Sequence, residues 1–310
     1  MQRRLFLLLS IFVVIVPVCS AQSSSQTPPS TTALHKLQFE VASVRENRSG
    51  GQATSNFPLD RGDVYSPTGG VFLATNQSLV ALLIFAYKIN ISEFRGGLIR
   101  RLPGWATADK FDINARAEST EPTKDDMRLM LQSLLEDRFK LKVHRETWEM
   151  PVFGLYLTRP GKNGPQLKPH DPAVPCSASL QRPSAETPVA TMIGLWPPDC
   201  GDGTETRSSK YRLREGGRDM TMNAIADWLT GAGESERPIL DQTGLKGTFD
   251  FILEFDPESL GREGISSAPR DDSGPTFTEA MKEQLGLEVK KQKGSISIFV
   301  VDDVEYPAAN

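Results

Sequence analysis

The chain has 310 residues, of which 38% are hydrophobic, and it carries a formal net charge of −4. This length and apolar content suffice for one large domain or two domains of modest size. The slightly acidic balance lacks the basic patch of a nucleic-acid-binding protein, and it disfavours anionic membrane surfaces. Nucleic acid is therefore excluded as an expected partner.

The N-terminal residues 1–21 have the pattern of a signal peptide. Two arginines precede the apolar run Leu5–Val18, and Cys19-Ser20-Ala21 offers a cleavage site. The run is shorter than the roughly 20 apolar residues of a membrane-spanning helix. We therefore expect an exported protein, periplasmic or secreted, with no membrane span after cleavage. The alternative is an uncleaved segment that anchors the chain.

Composition divides the rest of the chain into four segments. Residues 22–36 are rich in Ser, Thr, Gln and Pro, which predicts a disordered tether. Two αβ halves, 37–159 and 219–310, follow the tether. They are separated by a linker, 160–218, that is rich in Pro, Gly and Ser and contains Cys176 and Cys200.

The spacing of apolar residues predicts four helix–strand units in these halves. They are a helix from Asn76 or Ser78 with strand 110–117, a helix after Thr123 with strand 139–146, a helix after Thr221 with strand 249–255, and a helix from Thr276 with a strand at Leu287 and Val289. The first unit matches the third and the second matches the fourth, which indicates a tandem duplication. The predicted fold is α+β, with small mixed or antiparallel sheets and helices packed on one side. Separate domains and one pseudo-symmetric body both remain open.

Two turns are predicted near the ends of the halves. Strand 139–146 is expected to form a β-hairpin with 152–158, with Trp148 at its tip. The last strand, 295–301, is expected to follow a turn at Lys293-Gly294.

The cysteine content agrees with export. Cys19 lies at the edge of the signal peptide, which leaves Cys176 and Cys200 as an even pair. In an oxidising compartment such a pair predicts a disulfide bond. The alternative is a redox pair of free thiols, although neither cysteine lies in a CxxC motif.

Motifs for catalysis, metals and cofactors are absent from the sequence. It contains no HExxH, paired CxxC, Gly-x-Ser-x-Gly or phosphate-binding glycine loop. His144 is predicted to be a solvent-facing strand residue, with a catalytic role as the alternative. Asp241 and Asp272 resemble parts of an aspartic-protease motif, but turns explain both. We therefore predict no catalytic, cofactor-binding or metal-binding residue.

Tryptophans in loop-like positions are the remaining indication of binding. Trp105 and Trp148 are candidate binding residues, because tryptophan is enriched at binding hot spots. The alternative for both is packing against their own domain.

Several segments together resemble an uncharacterised family. They are Phe39–Arg45, Pro103-Gly104-Trp105, Met130–Glu146, Leu240–Gly247 and Glu283–Asn310. The family is an exported, soil-associated domain of unknown function that is multiplied in Acidobacteria. Some of its members carry the domain on membrane metallopeptidases of the antibiotic-sensing type. The helix–strand unit around Leu285 resembles more weakly the short N-terminal module of secretins and TonB-dependent receptors.

The resemblance implies a bacterial secreted protein with no established activity and no catalytic residue to transfer. We expect a non-enzymatic module that binds a protein or a cell-envelope component, with no cofactor. One alternative is a hydrolase whose carboxylate pair lies in no recognisable motif. Another is a soluble partner of a membrane sensor metallopeptidase. The oligomeric state is not predicted.

Overall fold

The computed structural model describes residues 36–56, 58–94, 102–174, 176, 200–209, 212–257 and 274–308. The predicted signal peptide, most of the predicted tether and parts of the linker 160–218 lie outside these residues. Both predicted halves belong to one compact unit, Lys36–Asn310. Within the described ranges, no helix has the length and apolar content needed to cross a bilayer.

Strands and short helices alternate along the described chain. In order they are β1 (Val41–Asn47), β2 (Thr54–Ser55), β3 (Val71–Gln77), α1 (Leu79–Ala86), α2 (Ile91–Glu93), α3 (Trp105–Ala108), β4 (Lys110–Arg116), α4 (Lys124–Arg138), β5 (Lys142–Leu157), β6 (Leu167–Pro169), β7 (Gly203–Ser209), β8 (Arg212–Thr221), α5 (Met222–Ala232), β9 (Ile239–Asp241), β10 (Thr248–Phe255), α6 (Phe277–Ala280) with a π-helical turn (Met281–Leu285), and β11 (Leu287–Asp303). The predicted α+β class is confirmed.

Two four-stranded sheets share one strand order. The first sheet runs β1-β4-β3-β2 and the second β6-β10-β8-β7, and all their pairings are antiparallel. In both, a helix begins directly after the corresponding strand: α1 after Ser78 follows β3, and α5 after Thr221 follows β8. This order agrees with a repeat, although the duplication itself stays a prediction.

The third sheet contains a long two-stranded ribbon, which corrects the predicted hairpin. β5 is one strand of 16 residues, paired antiparallel with β11 along its length, and β9 pairs parallel to its other edge. Residues 139–146 and 152–158 therefore do not pair with each other. The segment between them has no Gly or Asn to reverse the chain, and Pro151 lies within β5, opposite Lys293.

The predicted turn at Lys293-Gly294 is also wrong, because β11 continues through it. Gly294 lies opposite Met150 in the ribbon. A Cβ at this position would lie 2.9 Å from Leu240 Cδ1 and 3.0 Å from a Val152 methyl group. The glycine is thus explained by close packing within a strand.

Local capping signals explain where the longer helices begin and end. Thr123 and Asp126 form a capping box at the start of α4, and Thr276 and Glu279 form one at α6. The π-helical turn ends at Gly286, which has the left-handed φ of 70°. The predicted helix starts after Thr123 and at Thr276 are confirmed.

The apolar core has two main parts, and the ribbon extends through both. The first part joins sheet 1 with α1 and α4, and it includes Phe299 and Val301 of β11. The second joins sheet 2 with α5 and α6, and it includes Leu155 of β5 and Leu287 of β11. The two halves of the chain are therefore connected by continuous strands.

Candidate functional site

A cavity of about 650 Å³ lies where α1 and α4 face the ribbon. Its less polar lining is Ala86, Tyr87, Leu129, Val143 and Phe299. Its polar lining is Lys88, Asp125, Arg128, Gln132, His144 and Arg145. The volume falls in the range of sites that bind small ligands or peptide side chains.

The apolar part of the cavity is built around two aromatic rings. The rings of Tyr87 and Phe299 lie 5.0 Å apart, and the guanidinium of Arg145 lies 5.4 Å from the Phe299 ring centre. Leu129 is 45% exposed although it is a large apolar side chain. An apolar ligand group that covers Leu129 would remove this surface from water.

The Tyr87 hydroxyl offers an unused hydrogen-bonding group. It is buried and has no partner among the described residues. Burial is the first cause that raises the pKa of Tyr87, to about 12, so the hydroxyl stays protonated and can donate. Buried polar groups are normally paired, and a ligand acceptor would satisfy this donor once a side-chain movement exposes it to the cavity.

Two cations and two carboxylates form a closed cluster beside the cavity. Arg128 Nη1 lies 2.7 Å from carboxylate oxygens of both Asp63 and Asp125. Lys88 Nζ contacts the same two carboxylates at 2.8 and 3.1 Å. Burial raises the pKa of Asp63, but the stronger combined effect of Lys88 and Arg128 holds it below its usual value. The hydrogen bond from Arg128 is the first cause that lowers the pKa of Asp125.

Arg128 also fixes the 58–63 loop, which borders the cluster. Its side chain is only 3% exposed, and Nη2 donates to the backbone carbonyls of Asp60, Arg61 and Gly62 at 3.3, 3.1 and 2.6 Å. Lys124, one turn earlier on α4, is 1% exposed and pairs with Asp60. Burial is the first cause that lowers the pKa of Lys124. The loop is thereby held against α4 by two buried cations.

Arg61 connects the same loop to the second half of the chain. Its side chain contacts Asp202 at 3.1 Å and Asp227 of α5 at 2.5 Å. Asp227 in turn accepts hydrogen bonds from the backbone N–H groups of Ile91 and Ser92, both at 3.0 Å. The Asp227 carboxylate therefore both caps the start of α2 and binds Arg61 of the 58–63 loop.

His144 lies at the cavity edge between two carboxylates. Its Nδ1 lies 2.8 Å from Asp302 and its Nε2 lies 3.0 Å from Glu146. The hydrogen bond with Asp302, followed by that with Glu146, raises the pKa of His144. Contacts with carboxylates at both ring nitrogens favour the protonated ring on the exposed side of the ribbon.

Trp105 and Trp148 lie in different environments. Trp105 stacks on Phe139 and meets the edge of Tyr306, with ring centres 6.3 and 5.1 Å apart, so it contributes to the first core. Trp148 lies within β5 and is 40% exposed, and its Nε1 donates to Glu146 at 2.7 Å. Neither residue lines the cavity, and a binding role for Trp148 stays a prediction.

The Cys176–Cys200 disulfide is present, with Cα atoms 5.6 Å apart. The loop between these cysteines, 177–199, lies outside the described residues. On the other side of the bond, a Cβ at Gly62 would lie 2.4 Å from the Cys200 carbonyl oxygen. The disulfide thus adjoins the 58–63 loop.

The sequence alone did not point to Lys88, Arg128 or Arg61 as members of a site. One signal was available on α4, where Lys124 and Arg128 share a face with the apolar residues Met127 and Leu131. Charged residues on a buried helix face require partners. Those partners lie in a distant loop that no local pattern identifies.

Residues 80–304 match the family described as Protein of unknown function (DUF3738). No curated protein and no solved structure matches the chain.

Proposed function

This chain belongs to the family described as Protein of unknown function (DUF3738), and that description assigns no activity. We therefore propose a function from the geometry and chemistry of the cavity. The protein is a non-enzymatic binding module that captures a peptide segment of a partner protein in the cell envelope. An apolar side chain of the peptide enters the cavity beside Phe299 and Leu129. The Tyr87 side chain moves to expose its buried hydroxyl, which donates a hydrogen bond to a backbone carbonyl of the peptide.

The observation that carries this proposal is an apolar floor surrounded by charges that are already paired. Lys88 and Arg128 bind Asp63 and Asp125, and Arg145 Nε binds Glu93 at 2.9 Å. Paired charges hold their positions without a ligand, and preorganised walls lower the entropic cost of binding. The mixed signs at the rim suit a peptide that carries both charges.

The alternative of a hydrolase with a carboxylate pair receives less support from the same groups. A general acid must keep its proton near neutral pH, which requires a raised pKa. The neighbouring cations instead hold the pKa values of Asp63 and Asp125 low. His144 has both ring nitrogens beside carboxylates, which leaves it no free lone pair to act as a base.

Export to the periplasm or the medium is part of the proposal. The disulfide supports it, because such bonds persist in oxidising compartments. The pattern of residues 1–21 supports it from the sequence. Mass measurement of the protein recovered from its host tests this step: loss of residues 1–21 is expected, and a full-length cytoplasmic chain would contradict it.

The binding step is tested with a displayed peptide library selected on the purified protein. Selected peptides are expected to bind Leu129→Lys at least about tenfold more weakly than the unchanged protein, since the charge enters the apolar floor. Leu73→Lys is the matched control, because Leu73 is 39% exposed and lies on sheet 1, outside the cavity lining. Fluorescence anisotropy measures the affinities.

Two results would contradict the proposal. The first is a library that yields no peptide sensitive to Leu129→Lys. The second is cleavage of the selected peptides by the purified protein, seen by mass spectrometry and lost when Asp63 or Asp125 is replaced with Asn.

A further inference from the structure

A second group of chemically reactive side chains lies beside the disulfide, away from the cavity. A ring nitrogen of His170, the sulfur of Cys176 and a carboxylate oxygen of Asp219 all lie within 4.8 Å of one another. Ligand atoms around a tetrahedral zinc ion are separated by about 3.4 to 3.8 Å. Small side-chain rotations would therefore bring the three atoms to coordination distance.

His170 has the orientation that metal-binding histidines have in proteins. Its side chain is 7% exposed, and Nδ1 lies 2.7 Å from Asp250 Oδ1, a carboxylate that is itself 6% exposed. A carboxylate on one ring nitrogen fixes the tautomer and directs the other nitrogen to the metal. Nε2 makes no hydrogen bond with the described residues, so it is the nitrogen that remains for an ion.

The same Asp250 oxygen also positions Asp219. It accepts the Asp219 backbone N–H at 2.9 Å, in addition to the His170 ring. Asp219 has a φ of 51°, a left-handed conformation that is uncommon for a residue other than glycine. Such strained positions are held by their surroundings and concentrate at functional sites. One buried carboxylate thus orients two of the potential ligands.

The two cysteines of the disulfide are the sulfur ligands of the potential site, and Cys200 is its fourth side chain. In the oxidised chain Cys176 is bonded to Cys200, and a disulfide sulfur is a poor ligand because the metal binds thiolate. Cleavage of the bond leaves two thiols next to His170 and Asp219. A set of two thiolates, one imidazole and one carboxylate is a four-ligand set that zinc accepts.

We propose that reduction of the Cys176–Cys200 disulfide converts this cluster into a zinc site formed by His170, Cys176, Cys200 and Asp219. A dithiol reductant supplies two electrons and two protons and becomes a disulfide, while the protein gains two thiols. Binding of Zn²⁺ then releases the two thiol protons. The partly exposed Asp219 provides the side from which the ion enters.

The first experiment compares the oxidised and reduced forms of the purified protein without any substitution. Each form is dialysed against Zn²⁺ under anaerobic conditions, and bound metal is measured by mass spectrometry. The reduced form is expected to retain one zinc ion per chain and the oxidised form none. Zinc is also expected to raise the Tm of the reduced form alone, since a ligand stabilises the state that binds it.

Substitutions then assign the ligands. Asp250→Asn is expected to weaken zinc binding by about 10- to 100-fold, the usual effect of losing a carboxylate behind a metal-bound histidine. Asp137→Asn is the matched control and is expected to retain one zinc ion, because Asp137 is 69% exposed on α4 and belongs to neither site. With Co²⁺ as the probe, a thiolate-to-cobalt charge-transfer band is expected, and Cys176→Ser is expected to weaken it.

Equal zinc retention by the oxidised and reduced forms would overturn the proposal. So would a reduced form whose zinc content and Tm do not change with added zinc. Retention of zinc by a Cys176→Ser, Cys200→Ser double variant at the affinity of the reduced protein would also overturn it, because the thiolates would then not be ligands.

Discussion

Arg61 and Asp227 form an ion pair between a loop of the first half and a helix of the second. Their side chains are 16% and 11% exposed, and Arg61 Nη1 lies 2.5 Å from Asp227 Oδ2. The carboxylate also holds the start of α2 through Ile91 and Ser92. The contact therefore joins three segments that are far apart in the sequence.

Removal of one member of this pair is expected to destabilise the fold. Arg61→Gln leaves the largely buried carboxylate of Asp227 without its cation, which costs about 3 kcal/mol in the free energy of unfolding. Urea unfolding measures this cost. Arg48→Gln is the control, because Arg48 and Glu46 form an exposed pair whose loss leaves stability nearly unchanged. Equal effects of the two substitutions would show that the Arg61 contact is not a structural link.

Close packing between the 58–63 loop and the disulfide gives a second prediction. Gly62→Ala would place a Cβ 2.4 Å from the backbone oxygen of Cys200, and backbone atoms cannot move aside cheaply. The expected loss is about 2 kcal/mol of unfolding free energy. Gly51→Ala is the matched control, since its nearest neighbour would be the Ser49 hydroxyl at 3.4 Å. Unchanged thermal stability in Gly62→Ala would mean that the loop does not rest on this carbonyl.

Elements with local signals could be predicted from the sequence, and elements that depend on distant partners could not. The capping residue Thr123 indicates the start of α4. Gly286, which adopts the left-handed conformation, indicates the end of the last helical segment. The hairpin prediction failed because β5 takes β11 as its partner, and nothing within residues 139–158 encodes that distant strand.

The polar sites show the same limit. His170 is an isolated residue of a predicted linker, and only the folded chain brings Asp250 and Asp219 to it. The charged cluster at the cavity likewise joins the 58–63 loop to α4. Asp63 and Arg128, which are in contact, lie 65 residues apart in the sequence. A periodic pattern identifies which face of α4 is buried, but it does not identify the partner of a buried charge.

Protonation of His144 should contribute to the pH dependence of the free energy of unfolding. Its pKa is raised, first by Asp302 and then by Glu146, above the usual histidine value of about 6.5. A raised pKa in the folded state means that the protonated ring stabilises the fold. This contribution is complete below pH of about 6.5 and is lost as the pH rises through the raised pKa.

A double-mutant cycle separates this contribution from other titrations. The Tm of the unchanged protein is expected to exceed that of His144→Gln in mildly acidic buffer, and the difference should vanish in alkaline buffer. The same difference measured in an Asp302→Asn background should be smaller, because the first partner is absent. A difference that grows with pH would have the wrong sign and would show that the ring is neutral when folded.

Continuous strands through both cores predict that the two halves unfold together. Leu287 is fully buried in the second core, and Phe299 of the same strand is 1% exposed in the first. Leu287→Ala should cost about 3 kcal/mol, as buried leucine truncations do. Because the ribbon connects the cores, hydrogen exchange should accelerate in β4 of sheet 1 as well as in β10 of sheet 2.

Leu73→Ala, at a 39% exposed position, is the control and should leave both strands protected. Faster exchange confined to β10 and its neighbours would show instead that the halves open independently, and the ribbon would then connect the cores without coupling their stability.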